Sequence, residues 1–262
     1  MTEPILALDF DGVICDSVEE TAITGWRAAG AIWRDIRGTM PPADLLAGFR
    51  RARPIVEVGY EAILMMRLLR DGEDPRHLLA TFSERIPEVV ARAGMDAAGL
   101  TELFGATRDR WLAAAPDRWV AANPFYPGLA GRLVARLSRA SGPTCYIVTT
   151  KQRRFVEVLL SARAVPFHAE CIHGLEAGRP KEAVLAELVE RHPGRRVCFI
   201  EDRFATLERC LNARLPSAVE YRLAGWGYNT IAERQRARSL SLPIWALADL
   251  LHCLDQESHL DQ

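Results

Sequence analysis

The chain has 262 residues, of which 49% are hydrophobic and 26% charged, and its 33 basic and 34 acidic side chains leave a net charge of −1. So even a balance excludes bulk attraction to nucleic acid or to an anionic membrane surface. The length is ample for a sizeable core, in one large domain or two small ones.

In chain order, the first element is the apolar run "PILALDF" at 4–10, which reads as a strand buried on both faces. It runs into "DFDGVICDS", where Asp9 and Asp11 stand two apart. If the chain stays extended to residue 11, the two carboxylates share one face. Gly12 then allows a tight exit and close backbone approach to a ligand. Asp16 and Ser17 read as the cap of a following helix.

From 17 to 122 no good strand occurs. Helix-period apolar patterns fill it: "VEETAITGWRAAG", "VEVGYEAILMMRLLRD", "DPRHLLATFSERIPEVVARAG" and "LTELFGATRDRWLAAA". Met65, Met66, Leu68 and Leu69 form a stripe expected to be core. Arg50, Arg51 and Arg53 cluster before "PIVEVGYE". Arg53, Glu57 and Tyr60 either read a substrate there or belong to a solvated helix end. "NPFYPG" at 123–128 is the expected return linker.

The pattern then alternates. A helix at 127–140 leads to a strand at 144–150, and a helix at 153–164 leads to a weak strand at 165–174. A helix at 180–192, with Pro near its first turn, leads to strands at 196–202 and 218–225. Strands separated by helices of this length imply a parallel sheet. The expected fold is therefore α/β, a Rossmann-like parallel sheet of residues 1–16 and 123–230 with an all-helical cap inserted at 17–122. Hinges are expected near 15–18 and 118–127. Residues 231–262 read as a helical extension with a polar end, either packed on the core or fraying from it.

In an open parallel sheet, ligands bind at the carboxyl ends of the strands. Here those ends carry Asp9 and Asp11, Thr149 and Thr150, and Glu201 and Asp202, with Lys181 opening a helix between the last two sets. Asp9, Glu201 and Asp202 supply hard oxygen ligands suited to magnesium. A metal there removes the repulsion among them and leaves Asp9 free to act as an ionised nucleophile. Asp11 can give a proton to a leaving oxygen and take one from water. Thr149 can donate to a phosphoryl oxygen, and Lys181 can face developing negative charge. An EF-hand reading of the aspartates fails, because that loop needs flanking helices and a glutamate at its twelfth position.

Taken together, the Asp-x-Asp-Gly-Val core of "DFDGVICDS", the hydroxyl-ended "YIVTT", Lys181 in "GRPKEAVL" and the acidic pair of "CFIEDR" resemble the haloacid dehalogenase-like superfamily. The order of these motifs and the position of the helical insert agree with it. The resemblance implies a magnesium-dependent phosphohydrolase in which Asp9 forms an aspartyl-phosphate and Asp11 is the acid and base. Thr149 and Lys181 would bind the phosphoryl group, with Thr150, Gly12 and Arg53 as further substrate contacts. Asp9, the Asp11 carbonyl and Asp202 would hold the metal, with Glu201 in its inner or outer sphere. An aspartate at position 11 is similar to the phosphatase and phosphomutase branches. Many members read Lys-Pro where this chain has Arg179-Pro180-Lys181, so Arg179 competes with Lys181 for the cationic role.

The expected substrate is a small phosphorylated metabolite. A phosphomutase is the alternative within the superfamily, and a catalytically idle binding module the alternative outside it. The six cysteines include no CxxC pair, the amino-terminus lacks a secretory pattern, and no apolar run approaches the ~20 residues that span a bilayer. A cytoplasmic protein with neither nucleic-acid nor membrane partners is the expectation.

Overall fold

The computed structural model describes residues 3–138 and 145–256. Residues 139, 140 and 144 of the expected elements, and the polar end at 257–262, lie outside the described residues. Two compact units divide the chain: a core unit, Met1–Asp16 with Phe125–Gln262, and a helical unit, Ser17–Pro124.

The core unit is built on a six-stranded sheet in which every pairing is parallel. Its strands are β1 (Ile5–Leu8), β2 (Cys145–Val148), β3 (Ile172–His173), β4 (Val197–Glu201), β5 (Val219–Ala224) and β6 (Ile244–Trp245). Their order is β3-β2-β1-β4-β5-β6, so β1 lies at the centre between β2 and β4. The chain works outward from β1 to β3, then crosses back to β4. That reversal makes a topological switch point between β1 and β4, where open α/β sheets form their ligand crevice.

Every residue of β1, β2 and β4 is buried, as their unbroken apolar runs require. On one face, Ile5, Ala7, Tyr146, Val148 and Phe199 pack with Val184, Leu185 and Leu188 of α9 (Lys181–Arg191) and with Phe204 and Leu207 of α10 (Phe204–Asn212). Leu6 and Leu8 alternate to the other face. The core unit also contains α7 (Leu129–Leu137), α8 (Arg153–Ser161), α11 (Ile231–Ser239) and α12 (Leu247–Asp255).

Two expectations change here. The segment 165–174 contributes only the two residues of β3, because a 3-10 turn at Ala169–Cys171 occupies what precedes it. The helical reading of 231–262 is interrupted: β6 pairs with β5 through Leu223–Ile244 and Ala224–Trp245. Pro243 ends the preceding helical pattern, and its carbonyl accepts from Leu223 N–H at 2.9 Å. The tail thus completes the sheet.

The helical unit holds α1 (Val18–Ile32), α2 (Ala43–Ala52), α3 (Glu61–Arg70), α4 (Pro75–Ala93), α5 (Ala97–Ala114) and α6 (Pro116–Ala121). Asp74 caps α4 by accepting from Arg76 N–H, Pro75 takes the first helical position, and Gly94 ends the helix in the left-handed region. α1 and α3 pack closely: a Cβ on Gly25 would lie 2.6 Å from the Ala62 carbonyl oxygen. Met65, Met66, Leu68 and Leu69 of α3 are buried, as the stripe predicts. Ser17 does not cap α1 with its side chain; its hydroxyl is buried without a partner, while its carbonyl accepts from Thr21 N–H.

One ionic network lies inside the helical unit. Glu20 is fully buried and receives Arg108 Nε at 2.9 Å and Nη2 at 2.7 Å. Thr24 Oγ1 and Trp119 Nε1 also donate to it. A buried carboxylate is tolerable only when satisfied in this way. Arg108→Ala should therefore destabilise the protein by about 3–5 kcal/mol. Replacing both Glu20 and Arg108 by Met should cost less than Arg108→Ala alone, as checked by denaturant unfolding of the three variants.

Candidate active site at the carboxyl ends of β1, β2 and β4

Asp9 follows β1 directly and stays on the sheet, its N–H donating to the Ile200 carbonyl at 3.0 Å. Leu8 pairs with Ile200, so Asp9 comes level with Glu201 at the end of β4. Asp9, Glu201 and Asp202 are all buried, and each offers an oxygen within 4.8 Å of the others. Lys181, the first residue of α9, reaches into this group. Its Nζ lies 2.9 Å from Asp9 Oδ1 and 2.6 Å from Glu201 Oε2.

The chain does not stay extended to residue 11. It turns after Asp9, and Phe10 O accepts from the N–H groups of both Ile14 and Cys15 at 2.9 Å. Gly12 makes the turn possible with φ of +87°. Its missing side chain also makes room for Asp202, whose Oδ2 would lie 2.1 Å from a Cβ there. Gly12 thus serves the fit of a carboxylate as well as the turn. Gly227 does the same from the loop after β5: a Cβ on it would meet Asp202 Cβ at 2.3 Å and Gly12 O at 2.4 Å.

Asp202 is fixed by that loop. Tyr228 N–H donates to its Oδ2 at 2.7 Å, and Asn229 Nδ2 donates to its carbonyl at 3.0 Å. The Tyr228 hydroxyl donates in turn to Asp16 Oδ1 at 2.9 Å, so Asp16 is a tyrosine partner. Glu201 Oε1 accepts from Arg203 N–H at 3.0 Å, which leaves Oε2 to Lys181.

Asp11 lies apart from the trio. Its carboxylate is held by Lys151, with Nζ 2.9 Å from Oδ1 and 3.3 Å from Oδ2. Among the described residues, the Asp11 carboxylate is not part of the metal-type cluster, because the turn at Phe10 sends it to Lys151. Thr149 is buried just past β2, where its Oγ1 accepts from Lys151 N–H at 3.1 Å. Thr150 follows it, half-buried.

Arg179 and Lys181 separate clearly. Arg179 is exposed and pairs with Glu187, while Lys181 lies among the carboxylates. Arg53 belongs to the helical unit, where its guanidinium is buried and donates to the Val56 carbonyl at 2.7 Å, so it is not a solvated helix end.

No family model matches the sequence, and no curated protein matches it in sequence. Solved structures do share its fold. The chain is similar to a predicted phosphatase from Clostridium acetobutylicum, at 16% identity and a TM-score of 0.56, over 96% of this chain and 98% of that one. It is similar to a predicted phosphoglycolate phosphatase from Haemophilus somnus, at 15% identity and a TM-score of 0.57, over the same shares of 96% and 98%. A haloacid dehalogenase-like family protein from Streptococcus pneumoniae gives 15% identity and a TM-score of 0.52, over 95% of this chain and 97% of that one. The fold is that of haloacid dehalogenase-like proteins.

The carboxyl ends of this sheet gather like charges that need an explanation. Three buried carboxylates converge here, and the Lys181 ammonium lies between two of them, Asp9 and Glu201. Asp9 Oδ1 is buried, with the Lys181 ammonium 2.9 Å away. Burial raises the Asp9 carboxyl from 3.8 to about 6; Lys181 lowers it in part, and the Glu201 and Asp11 carboxylates add to the rise. Burial would lower the pKa of Lys181, but Asp9 and Glu201 outweigh it and hold the ammonium above its usual range. An all-oxygen donor set of three converging carboxylates fits a hard divalent cation such as magnesium.

Lys151, Tyr228 and Gly227 were not singled out by the sequence. Only the position of Lys151, two residues past a strand-end threonine, offered a signal. "GWGYN" carried none beyond a turn.

The metal-free protein carries a pH signature. A carboxyl whose folded pKa is raised binds its proton more tightly folded than unfolded, so stability is full below the unfolded value and is lost as pH rises through the folded one. For Asp9 the window runs from about pH 4 to about pH 6. Asp9→Asn should thus gain stability relative to wild type on moving from pH 4 to pH 7, by on the order of 3 kcal/mol. Added magnesium should reduce that gap at pH 7. Thermal melts of both proteins in chelator and in magnesium check this.

Proposed function

We propose that the core unit is a magnesium-dependent phosphohydrolase acting on a small phosphorylated metabolite through Asp9. The observation that carries this reading is the convergence of three buried carboxylates, two of them on the Lys181 ammonium, at the switch point of a parallel sheet. Stability alone does not favour such an arrangement. The names of the structural neighbours, a predicted phosphatase and a predicted phosphoglycolate phosphatase, support the same class.

Asp9, Glu201 and Asp202 would hold magnesium, which when bound neutralises their charge and draws negative charge from the phosphoryl oxygens. In the first step an Asp9 carboxylate oxygen bonds to phosphorus while the ester P–O bond breaks, and Asp11 gives the leaving oxygen a proton. In the second, water attacks the phosphorus of the aspartyl-phosphate and Asp11 takes the water proton. Phosphate leaves and Asp9 is regenerated. Thr149 donates its hydroxyl to a phosphoryl oxygen, and Lys181 keeps Asp9 ionised while facing the charge that builds on the transferred group.

Phosphate release should be measured across sugar phosphates, nucleotides, polyol phosphates and phosphoglycolate, with magnesium and with chelator. At least one compound should be hydrolysed, chelator should stop turnover, and Asp9→Asn should lose at least about 10³-fold in kcat. Isomerisation of hexose phosphates without phosphate release would replace the hydrolase by a mutase. No activity on any phosphorylated compound, with magnesium bound, would sink the enzyme reading.

A further inference from the structure

We infer that Lys151 is a positioning residue of this site, one that holds the Asp11 carboxylate in its working orientation. The inference rests on the phosphohydrolase reading and adds to it a residue outside the four sequence motifs.

The Lys151 side chain is fully buried, whereas the Asp11 side chain keeps 16% of its surface exposed. A buried lysine is expensive unless its ammonium is paired. Lys151 meets that need with both oxygens of one carboxylate, at 2.9 and 3.3 Å. Gripping both oxygens fixes the rotation of the carboxylate as well as its place. The rest of Lys151 is anchored too. Its carbonyl accepts from Leu175 N–H at 3.1 Å, and its ammonium lies 5.9 Å from the centre of the Phe10 ring.

The Lys151 backbone makes a second contact with the site. Its N–H donates to Thr149 Oγ1 at 3.1 Å, occupying an acceptor position of that hydroxyl. The hydroxyl hydrogen is left to turn toward a ligand. One residue therefore fixes two groups at neighbouring strand ends: the Asp11 carboxylate with its side chain and the Thr149 hydroxyl with its main chain. Asp11 lies in the turn that begins at Phe10, off the β1–β4 ladder that places Asp9, and its side chain is set by the Lys151 grip. A proton-transfer group has to lie within hydrogen-bond reach of the leaving oxygen, and small misplacement is costly.

The two contacts can be separated. Lys151→Met removes the ammonium but keeps the stem and the N–H donated to Thr149. It should lower kcat by about 10- to 100-fold and leave KM within about threefold, since phosphoryl binding is untouched. In an Asp11→Asn background the same substitution should cost little more, because a positioning residue has nothing left to position. Lys151→Gln, which retains a donor, should fall between wild type and Met. It also serves as the test variant if Lys151→Met does not fold, as judged by its melting curve. Wild-type kcat in Lys151→Met and Lys151→Gln, with Asp11→Asn impaired, would overturn the positioning role alone. Full multiplication of the two losses in the double variant, or a rise in KM with kcat unchanged, would overturn it as well. An inactive wild type would instead overturn the phosphohydrolase reading.

Discussion

The convergence of three buried carboxylates at the carboxyl ends of β1 and β4 sets the terms for the rest of the core unit. Burying a carboxylate costs several kcal/mol, and this fold buries three within reach of one another. The cost is visible in Asp9, which burial pushes to about 6 despite an ammonium at 2.9 Å. A sequence under selection for stability alone would place apolar side chains here. The sheet instead brings the carboxylates together at its most enclosed point, with β1 central and a neighbour on either side.

The surrounding structure is arranged to keep them there. Asp9 is fixed by the β1–β4 register and Glu201 by its place in β4. Asp202 is fixed from three sides by the Tyr228 N–H, the Asn229 amide and the bare α-carbons of Gly12 and Gly227. The tail that follows β5 supports that loop. Thr230 and Glu233 form a capping box at the start of α11, and Arg234 donates to the Asn229 side chain at 2.7 Å. The segment read from sequence as a helical extension thus returns to the sheet through β6 and lies behind the loop that places a metal-type ligand.

The legibility of the chain follows from which signals are local. The runs of β1, β2 and β4 are apolar, β-branched and short, and strands buried on both faces have few other solutions. Acidic or hydroxyl residues at their ends were equally plain, since polar groups ending apolar runs have to lie where the sheet opens. β6 was hidden because two residues, Ile244 and Trp245, carry no periodicity; only pairing with β5 makes them a strand. α2 was hidden for a related reason, with Arg50 and Arg51 in its last turn drawing the eye to charge rather than to its buried Gly48, Phe49 and Ala52. Lys151 carried only the faint signal of its place after a strand-end threonine, because a lysine after two threonines looks like ordinary loop polarity. Its meaning depends on a partner 140 residues away in sequence.

That partner shows how the core unit gives like side chains unlike environments. Asp9 and Asp11 are two residues apart, yet the turn at Phe10 and Gly12 separates their electrostatics. Asp11 meets a lysine of its own, and that pair is balanced within the chain. Asp9 shares its lysine with Glu201 and stands beside Asp202. Carboxylates differ in role when their surroundings differ in charge. The dipeptide step from Asp9 to Asp11 would be redundant on an extended strand. The turn makes the two positions non-interchangeable, because exchanging their partners would require moving Lys151 and Lys181 on two separate elements at once.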